Sequence, residues 1–316
     1  MNDSPATLII GCGYLGRALA RRLLDRDDAG PVWATTRSDD RARELFDLGL
    51  RPILLQVTQP VTFAALRPAL DHPGPLDVVY LIPPGRPGGA PTPRQTVVGG
   101  TSHTVKHLRR VPGLRRAVLG SSTAVYGHHP CPPHPPLTAE AQTDPTNPRA
   151  RLLLDGEKLW LHANNDPEHA SGSFHTLRLA GIYGPGRVVG RHAVAEGHPL
   201  VGDPDATLNL IHVVDAADCL LAMLNPLRDP ARIELAADGR PITRRRYYHA
   251  LAQALGVDPP QHLTLDQAAG LGIDTARLRA AASKALDPRT TRERLVWSPR
   301  HPSVLDALPE LIQQPA

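Results

Sequence analysis

Gly11, Gly13 and Gly16 form a Gly-x-Gly-x-x-Gly turn between the apolar run Ala6-Thr-Leu-Ile-Ile10 and a segment, Arg17–Leu24, whose Ala and Leu share one helical face. That spacing suits the seating of a diphosphate on main-chain amides. Gly11 permits the tight turn, Gly13 lets the backbone approach a pyrophosphate, and Gly16 lets the helix pack close to the strand. Cys12, Tyr14 and Leu15 complete the turn. The amides of Tyr14 and Leu15 open the helix, where partial positive charge favours phosphate. The alternative, a structural glycine turn without a ligand, is weakened by the strand before it and the helix after it. Cys12 reads as a small side chain packed beneath the turn.

The second apolar run, Val32-Trp-Ala-Thr-Thr36, ends in Arg37 and Ser38. A site for NAD usually carries Asp or Glu at this point, on the ribose 2′-hydroxyl. An arginine and a hydroxyl suit a 2′-phosphate through charge-assisted hydrogen bonds. The expected cofactor is therefore NADP(H) in preference to NAD(H), with Arg17 in a supporting position. The competing reading makes Arg37 a solvated loop charge.

These residues need a scaffold, and the sequence supplies one. Strands are expected at Ala6–Ile10, Val32–Thr36, Pro52–Val57, Val78–Ile82, Arg116–Gly120 and Phe174–Leu179. Helices alternate with them at Arg17–Leu24, Asp39–Leu48, Val61–Leu70, Thr96–Arg109 and Arg149–Asn164. Alternation of this kind implies an α/β fold with a doubly wound parallel Rossmann sheet. Pro-rich stretches at Pro83–Pro93 and His128–Pro148 exclude helix or sheet interior. Further on, a strand is expected over Leu208–Val214 and a helix over Ala216–Leu224. Three more helices follow at Arg244–Leu255, Leu265–Leu271 and Asp274–Leu286. Residues 1–180 thus form the Rossmann domain, completed by 208–240, while 181–207 and 241–316 form a smaller C-terminal α/β substrate lobe.

Composition narrows the partners. The 316 residues are 41% hydrophobic but only 4% aromatic, so the core must rest on aliphatic side chains. A net charge of +4, with arginines interleaved among acids, does not suggest nucleic acid. The N-terminus lacks a signal peptide's apolar stretch, and no apolar run approaches a membrane span. Three cysteines, Cys12, Cys131 and Cys219, make no disulfide framework. A cytoplasmic protein with a small-molecule substrate is expected, with a homodimer left open. His128, His129, Cys131 and His134 are metal-ligand types in one proline-rich loop, but their spacing fits no zinc pattern, and no metal is expected.

With Ser121-Ser-Thr-Ala-Val-Tyr-Gly127 added, the chain resembles the extended short-chain dehydrogenase/reductases, the NAD(P)-dependent epimerase/dehydratase superfamily. Arg178-Leu-Ala-Gly-Ile-Tyr-Gly-Pro-Gly186 and Ile211-His-Val-Val-Asp215 extend the resemblance over nearly the whole chain. Gly-Cys-Gly-Tyr-Leu-Gly, Thr36-Arg37-Ser38 and the run ending at Arg187 look like the atypical branch that includes the YeeZ-type proteins. The resemblance implies an active site between the two lobes. It also implies a Ser or Thr, here Ser122, that hydrogen-bonds the reacting oxygen. A Tyr-x-x-x-Lys pair on the following helix would supply the general acid/base.

The pair is not there to be found. Aligning on Glu157 puts Leu153 at the lysine position and Arg149 at the tyrosine position; no tyrosine occurs between Tyr126 and Tyr183. Only three lysines exist, Lys106, Lys158 and Lys284. Tyr126 and Tyr183 lie on segments that border the nicotinamide in relatives, so either is a candidate proton donor, with packing as the ordinary alternative. Arg149 is a candidate clamp for a substrate carboxylate or phosphate, or else a solvated helix residue. Asp215 and His212 are expected to fix the strand between the lobes. Gln56, Gly181 and Leu208-Asn-Leu210 depart from what relatives acting on nucleotide sugars carry. The expected function is an oxidoreductase or epimerase-like enzyme on a small non-nucleotide substrate. A non-catalytic NADP(H)-binding redox sensor, or a nucleotide-sugar epimerase or dehydratase with rearranged chemistry, stands as the alternative.

Overall fold

A computed structural model describes residues 5–85, 90–130, 134–165, 172–273 and 283–314. Seven strands make one parallel sheet: β1 (Ala6–Ile10), β2 (Val32–Thr36), β3 (Arg51–Leu54), β4 (Leu76–Tyr80), β5 (Leu114–Ser122), β6 (Ser173–Leu179) and β11 (Ile233–Ala236). Their order across the sheet is β11-β6-β5-β4-β1-β2-β3. The order reverses at β1, and a doubly wound sheet places its ligand at the strand ends beside such a reversal.

Helices α1 (Tyr14–Leu24), α2 (Asp39–Asp47), α3 (Arg67–Leu70), α4 (Gly100–Leu108), α5 (Pro148–His162) and the later α7 (Val213–Leu224) cover the two faces. All five residues of β1 are buried. This is why it reads as an unbroken apolar run and does not alternate. On α1, Leu15, Leu19 and Leu23 recur every fourth residue and face inward, against α7. Arg22 and Asp218 join the same two helices by paired hydrogen bonds of 2.7 and 2.9 Å.

Between β6 and β11 run the short strands β7 (Gly181–Tyr183), β8 (Leu200–Val201), β9 (Thr207–Leu208) and β10 (Leu210–His212), with α6 (Arg191–Ala195). After β11 come β12 (Ile242–Thr243), α8 (Arg244–Leu255), β13 (His262–Leu263), α9 (Leu265–Gly270), α10 (Arg289–Leu295) and α11 (Val304–Gln313). A separate apolar cluster gathers Tyr183, Val194, Leu210, Tyr247, Leu251 and Leu308 from these later elements.

The structure corrects several sequence expectations. The helix expected over Val61–Leu70 is a 3-10 turn, Pro60–Leu66, followed by the single turn α3; Pro68 opens α3 because the N-terminal turn needs no amide there. The segment over Thr96–Arg109 begins as a π turn, Gln95–Gly99, before α4. The strand over Leu208–Val214 is broken into β9 and β10, and Val213 already belongs to α7. β11 was not expected: it is short and carries Glu234. That carboxylate is fully buried because Thr291 and Arg294 of α10 reach it at 2.6 and 2.9 Å. Of the helix expected over Asp274–Leu286, residues 274–282 lie outside the described residues. Residues 283–286 are extended and pair with the loop at His129 and Leu137.

Candidate active site

At the strand ends beside the reversal lies an open cleft of about 1620 Å³. Gly11 turns the chain out of β1 with φ +91°, a left-handed conformation, and its N–H donates to Thr35 Oγ1 at 2.9 Å. The Cys12 N–H donates to the Thr35 carbonyl at 3.1 Å. Thr35 therefore ties the turn to β2 from both side chain and backbone, a role the sequence did not reveal. A Cβ on Gly16 would lie 3.1 Å from the Gly11 carbonyl oxygen, so only glycine lets α1 sit this close.

Gly13 differs from the other two glycines. A Cβ there would meet nothing within 4 Å. It caps α1 with no side-chain hydrogen bond, so the first amides of the helix are left for a ligand. The cradle is open where a diphosphate must approach and packed where the helix must meet the strand, which fits a dinucleotide.

Cys12 is 5% exposed, and burial pushes its thiol up to about 11. The thiolate is scarce at neutral pH, so the residue packs and does not react. Iodoacetamide at pH 7.5 is expected to leave Cys12 unmodified in the folded protein; mass spectrometry showing alkylation at the rate of a free thiol would contradict this.

Beyond β2, Arg37 is exposed, lines the cleft and makes no ion pair among the described residues. Arg17 and Arg41 also line it and share Glu44 at 3.3 and 2.9 Å. Arg41 was missed by the sequence reading because it sits a turn into α2. Ser38 is not on the cleft wall: its Oγ caps α2, accepting the Arg41 N–H at 3.4 Å.

Ser122 ends β5 and lines the cleft; its Oγ accepts the Ala124 N–H at 3.2 Å and caps the 3-10 turn Thr123–Tyr126. Gly127 closes the motif at φ +74°, and a Cβ there would lie 1.8 Å from the Asp144 carbonyl oxygen, so the loop requires glycine. Next to Ser122, Ser121 Oγ donates to Glu157 of α5 at 2.5 Å. Glu157 also accepts from Arg178 at 2.8 and 3.2 Å, and both charges are buried. This network fixes the rotation of α5. Arg149, Ala150 and Leu153, one and two turns earlier, then face the cleft. The helix carries no tyrosine, and its lysine, Lys158, is exposed.

Neither candidate tyrosine reaches the cleft. Tyr126 is fully buried, donates to the Ala139 carbonyl at 3.1 Å and lies under the Arg178 guanidinium, 4.8 Å from its ring. Burial raises its pKa. Tyr183 is fully buried against His212, and burial raises its pKa too. Tyr14, by contrast, lines the cleft, with its hydroxyl donating to Pro185 at 3.0 Å and Arg187 over its ring at 5.6 Å.

His212, Asp215 and His301 place ligand-type atoms within 4.8 Å of one another. Asp215 already accepts the Arg300 and His301 N–H groups at 2.8 and 3.0 Å, and His212 accepts from Val214. The two imidazoles stack at 3.7 Å and 27°, so their in-plane lone pairs run side by side and do not converge on one ion. The cluster instead staples the start of α7 to the chain before α11. In the proline-rich loop, His128 Nδ1 accepts the Ser283 N–H at 3.0 Å, and His129 packs edge-on against His134; Cys131 lies outside the described residues.

Behind this staple, burial lifts the Asp238 carboxyl from its ordinary 3.8 to about 7. The folded state then holds a proton that the unfolded chain has lost, so stability falls as pH rises from about 4 to about 7. Asp238→Asn keeps an acceptor for the Arg240 N–H. It is expected to melt higher than the parent at pH 8 and equally at pH 4. Thermal unfolding at the two pH values checks this, and an equal shift at both would contradict it.

A glycine cradle at the switch point, an uncapped helix start and a two-walled cleft define a Rossmann protein built for a dinucleotide. The NAD dependent epimerase/dehydratase family pattern matches residues 7–236, and the chain belongs to that family. It is 28% identical over 278 residues to protein YeeZ of Escherichia coli strain K12, covering 85% of this chain and 91% of that one. A conserved protein of unknown function from Silicibacter pomeroyi superposes with a TM-score of 0.73 at 24% identity over 97% of both chains. The dTDP-glucose 4,6-dehydratase of Bacillus anthracis, solved with NAD, superposes at 0.76 with 14% identity, over 98% of this chain and 95% of that one. No helix among the described residues is long and apolar enough to cross a membrane.

Proposed function

We propose that the protein binds NADP(H) and acts as an oxidoreductase or epimerase-like enzyme on a small, non-nucleotide substrate. One observation carries the cofactor choice: Arg37 stands exposed and unpaired where β2 ends, beside Arg41 and Arg17. Two of these guanidiniums, Arg17 and Arg41, share one carboxylate, Glu44, and Arg37 adds a third positive charge, which leaves positive charge for a 2′-phosphate. The amides opening α1 would hold the pyrophosphate. A bound nicotinamide gives or takes a hydride; the chain must bind, orient and manage the proton.

Ser122 Oγ is the hydroxyl offered to a reacting oxygen, since it accepts one backbone N–H and keeps its own proton to donate. Arg149 and Leu153 occupy the cleft face of α5 where a tyrosine and a lysine would be expected, so the proton comes from water or a displaced residue in this reading. The same feature favours the second reading, a cofactor-binding protein without turnover.

Fluorescence titration with NADPH and NADH, followed by a panel of carbonyl and hydroxyl compounds, tests the proposal. Tight NADPH binding with turnover on the panel supports an enzyme. NADPH binding without turnover favours the sensor. No binding of either cofactor overturns both.

A further inference from the structure

The charged side chains lining the cleft are almost all of one kind. Among the described residues they are seven arginines and one aspartate, Asp25, with no lysine, histidine or glutamate. Arg22 is held by Asp218, and Arg17 and Arg41 by Glu44. The cations near β1 and β2 are also those a dinucleotide's phosphates would answer.

Arg149 is different. Like Arg37 it is exposed and its side chain makes no hydrogen bond or ion pair among the described residues, but it stands on α5, away from β1 and β2. Its helix packs on β5, β6 and the turn that Ser122 caps. Across the sheet, β5 is separated from β1 by β4, and from β2 by β4 and β1. At roughly 4.8 Å per strand, that sets Arg149's end of the cleft about 10–14 Å from the strands that hold the cofactor's phosphates. A nicotinamide carries no anion to place there.

Helix stability does not explain the residue. Arg149 sits in the first turn of α5, which has no acidic residue, and a cation there opposes the helix dipole. Its direction is also not left to chance. Arg149, Leu153 and Glu157 recur every fourth residue on one face, and Glu157 is locked to Ser121 and Arg178. The network that seats Ser121, next to Ser122, therefore also aims Arg149 at the cleft.

Building on the cofactor reading above, we propose that the substrate carries an oxyanion, a carboxylate or a phosphate, and that Arg149 binds it beside Ser122. Arginine presents paired donors that match either group, and it remains charged at every working pH. The substrate is thus an acid-bearing carbonyl or hydroxyl compound whose charge is anchored by α5 while its reacting oxygen faces Ser122.

The test uses the full chain saturated with NADPH, whose own affinity is measured first by fluorescence. Calorimetric titrations then add oxalate or inorganic phosphate, with oxamide as the uncharged control. The expected result is saturable binding of at least one oxyanion, weakened by salt, and none of oxamide. Arg149→Gln is expected to weaken that binding ~10–100-fold, Arg149→Lys less, with NADPH affinity unchanged within about twofold and melting unaltered. Oxyanion binding equal in wild type and Arg149→Gln overturns the proposal, as does the lack of saturable heat from either anion. If NADPH itself fails to bind, the cofactor reading falls. The same titrations on the free protein then decide Arg149 alone: loss in Arg149→Gln sustains it, and no loss removes it.

Discussion

Arg37→Ala is expected to weaken NADPH binding ~10–100-fold while leaving NADH binding within about twofold. The two cofactors differ only at the ribose 2′ position, so a guanidinium that meets the 2′-phosphate must discriminate between them. Arg37 is free to do so, because no carboxylate holds it among the described residues. Arg41 and Arg17 remain in the variant but are shared with Glu44, so they soften the loss without erasing it. Raising ionic strength should reduce the wild-type preference for NADPH toward that of the variant, since the site is solvent-exposed and screened. Competitive fluorescence titration at two salt concentrations checks both parts. Equal loss of NADPH and NADH affinity would sink the assignment of Arg37 and with it the choice of the phosphorylated cofactor.

Glu157→Ala is expected to lower stability by about 3–5 kcal/mol. Glu157 is 1% exposed and Arg178 3% exposed, so removing the carboxylate strands a buried guanidinium. Ser121 Oγ loses its acceptor in the same step. Among the described residues Arg178 keeps the Ala139 carbonyl, at 3.3 Å, and its contacts with Tyr126. Those contacts do not replace a counter-charge. Glu157→Gln retains shape and some hydrogen bonding, and should cost less than Glu157→Ala. Replacing both partners, Glu157→Leu with Arg178→Met, should cost less than the sum of the single changes, because no charge is left unpaired. Urea unfolding of the four proteins completes the cycle. A loss below about 1 kcal/mol for Glu157→Ala would mean that the pair is not the buried network drawn here.

The two predictions probe a cleft arginine and a buried ion pair behind α5, and they differ in how they became visible. Arg37 follows a strand and a glycine turn in sequence, so its neighbourhood could be placed from local pattern alone. Glu157 and Arg178 are 21 residues apart on a helix and a strand. Glu157 served in the sequence only as an alignment anchor; that it locks α5 against the Ser122 segment is a product of packing.

The misplacements have the same cause. Ser38 had the right chemistry for a phosphate, but its hydroxyl caps the helix it precedes, as Ser at that position commonly does. Arg41, three residues on, reaches the cleft instead. Tyr126 and Tyr183 lie on segments that approach the site, but their side chains point away from it, into the protein interior. Chain position could not distinguish the two faces of those segments. β11 escaped notice because its burial of Glu234 depends on Thr291 and Arg294, more than 50 residues downstream.

The sequence by itself determined the parallel α/β scaffold, the glycine turn after β1, and the lack of a tyrosine on the helix after Ser122. These depend on short-range features: apolar runs, glycine spacing and residue identity within one segment. Only the tertiary structure decided which side chains share the cleft. It brought Arg41 in, kept Tyr126 and Tyr183 out, and placed Arg149 on the cleft wall. The physical reason is that side-chain direction is set by long-range packing and by buried charge pairing between distant segments, and neither leaves a periodic mark in the chain.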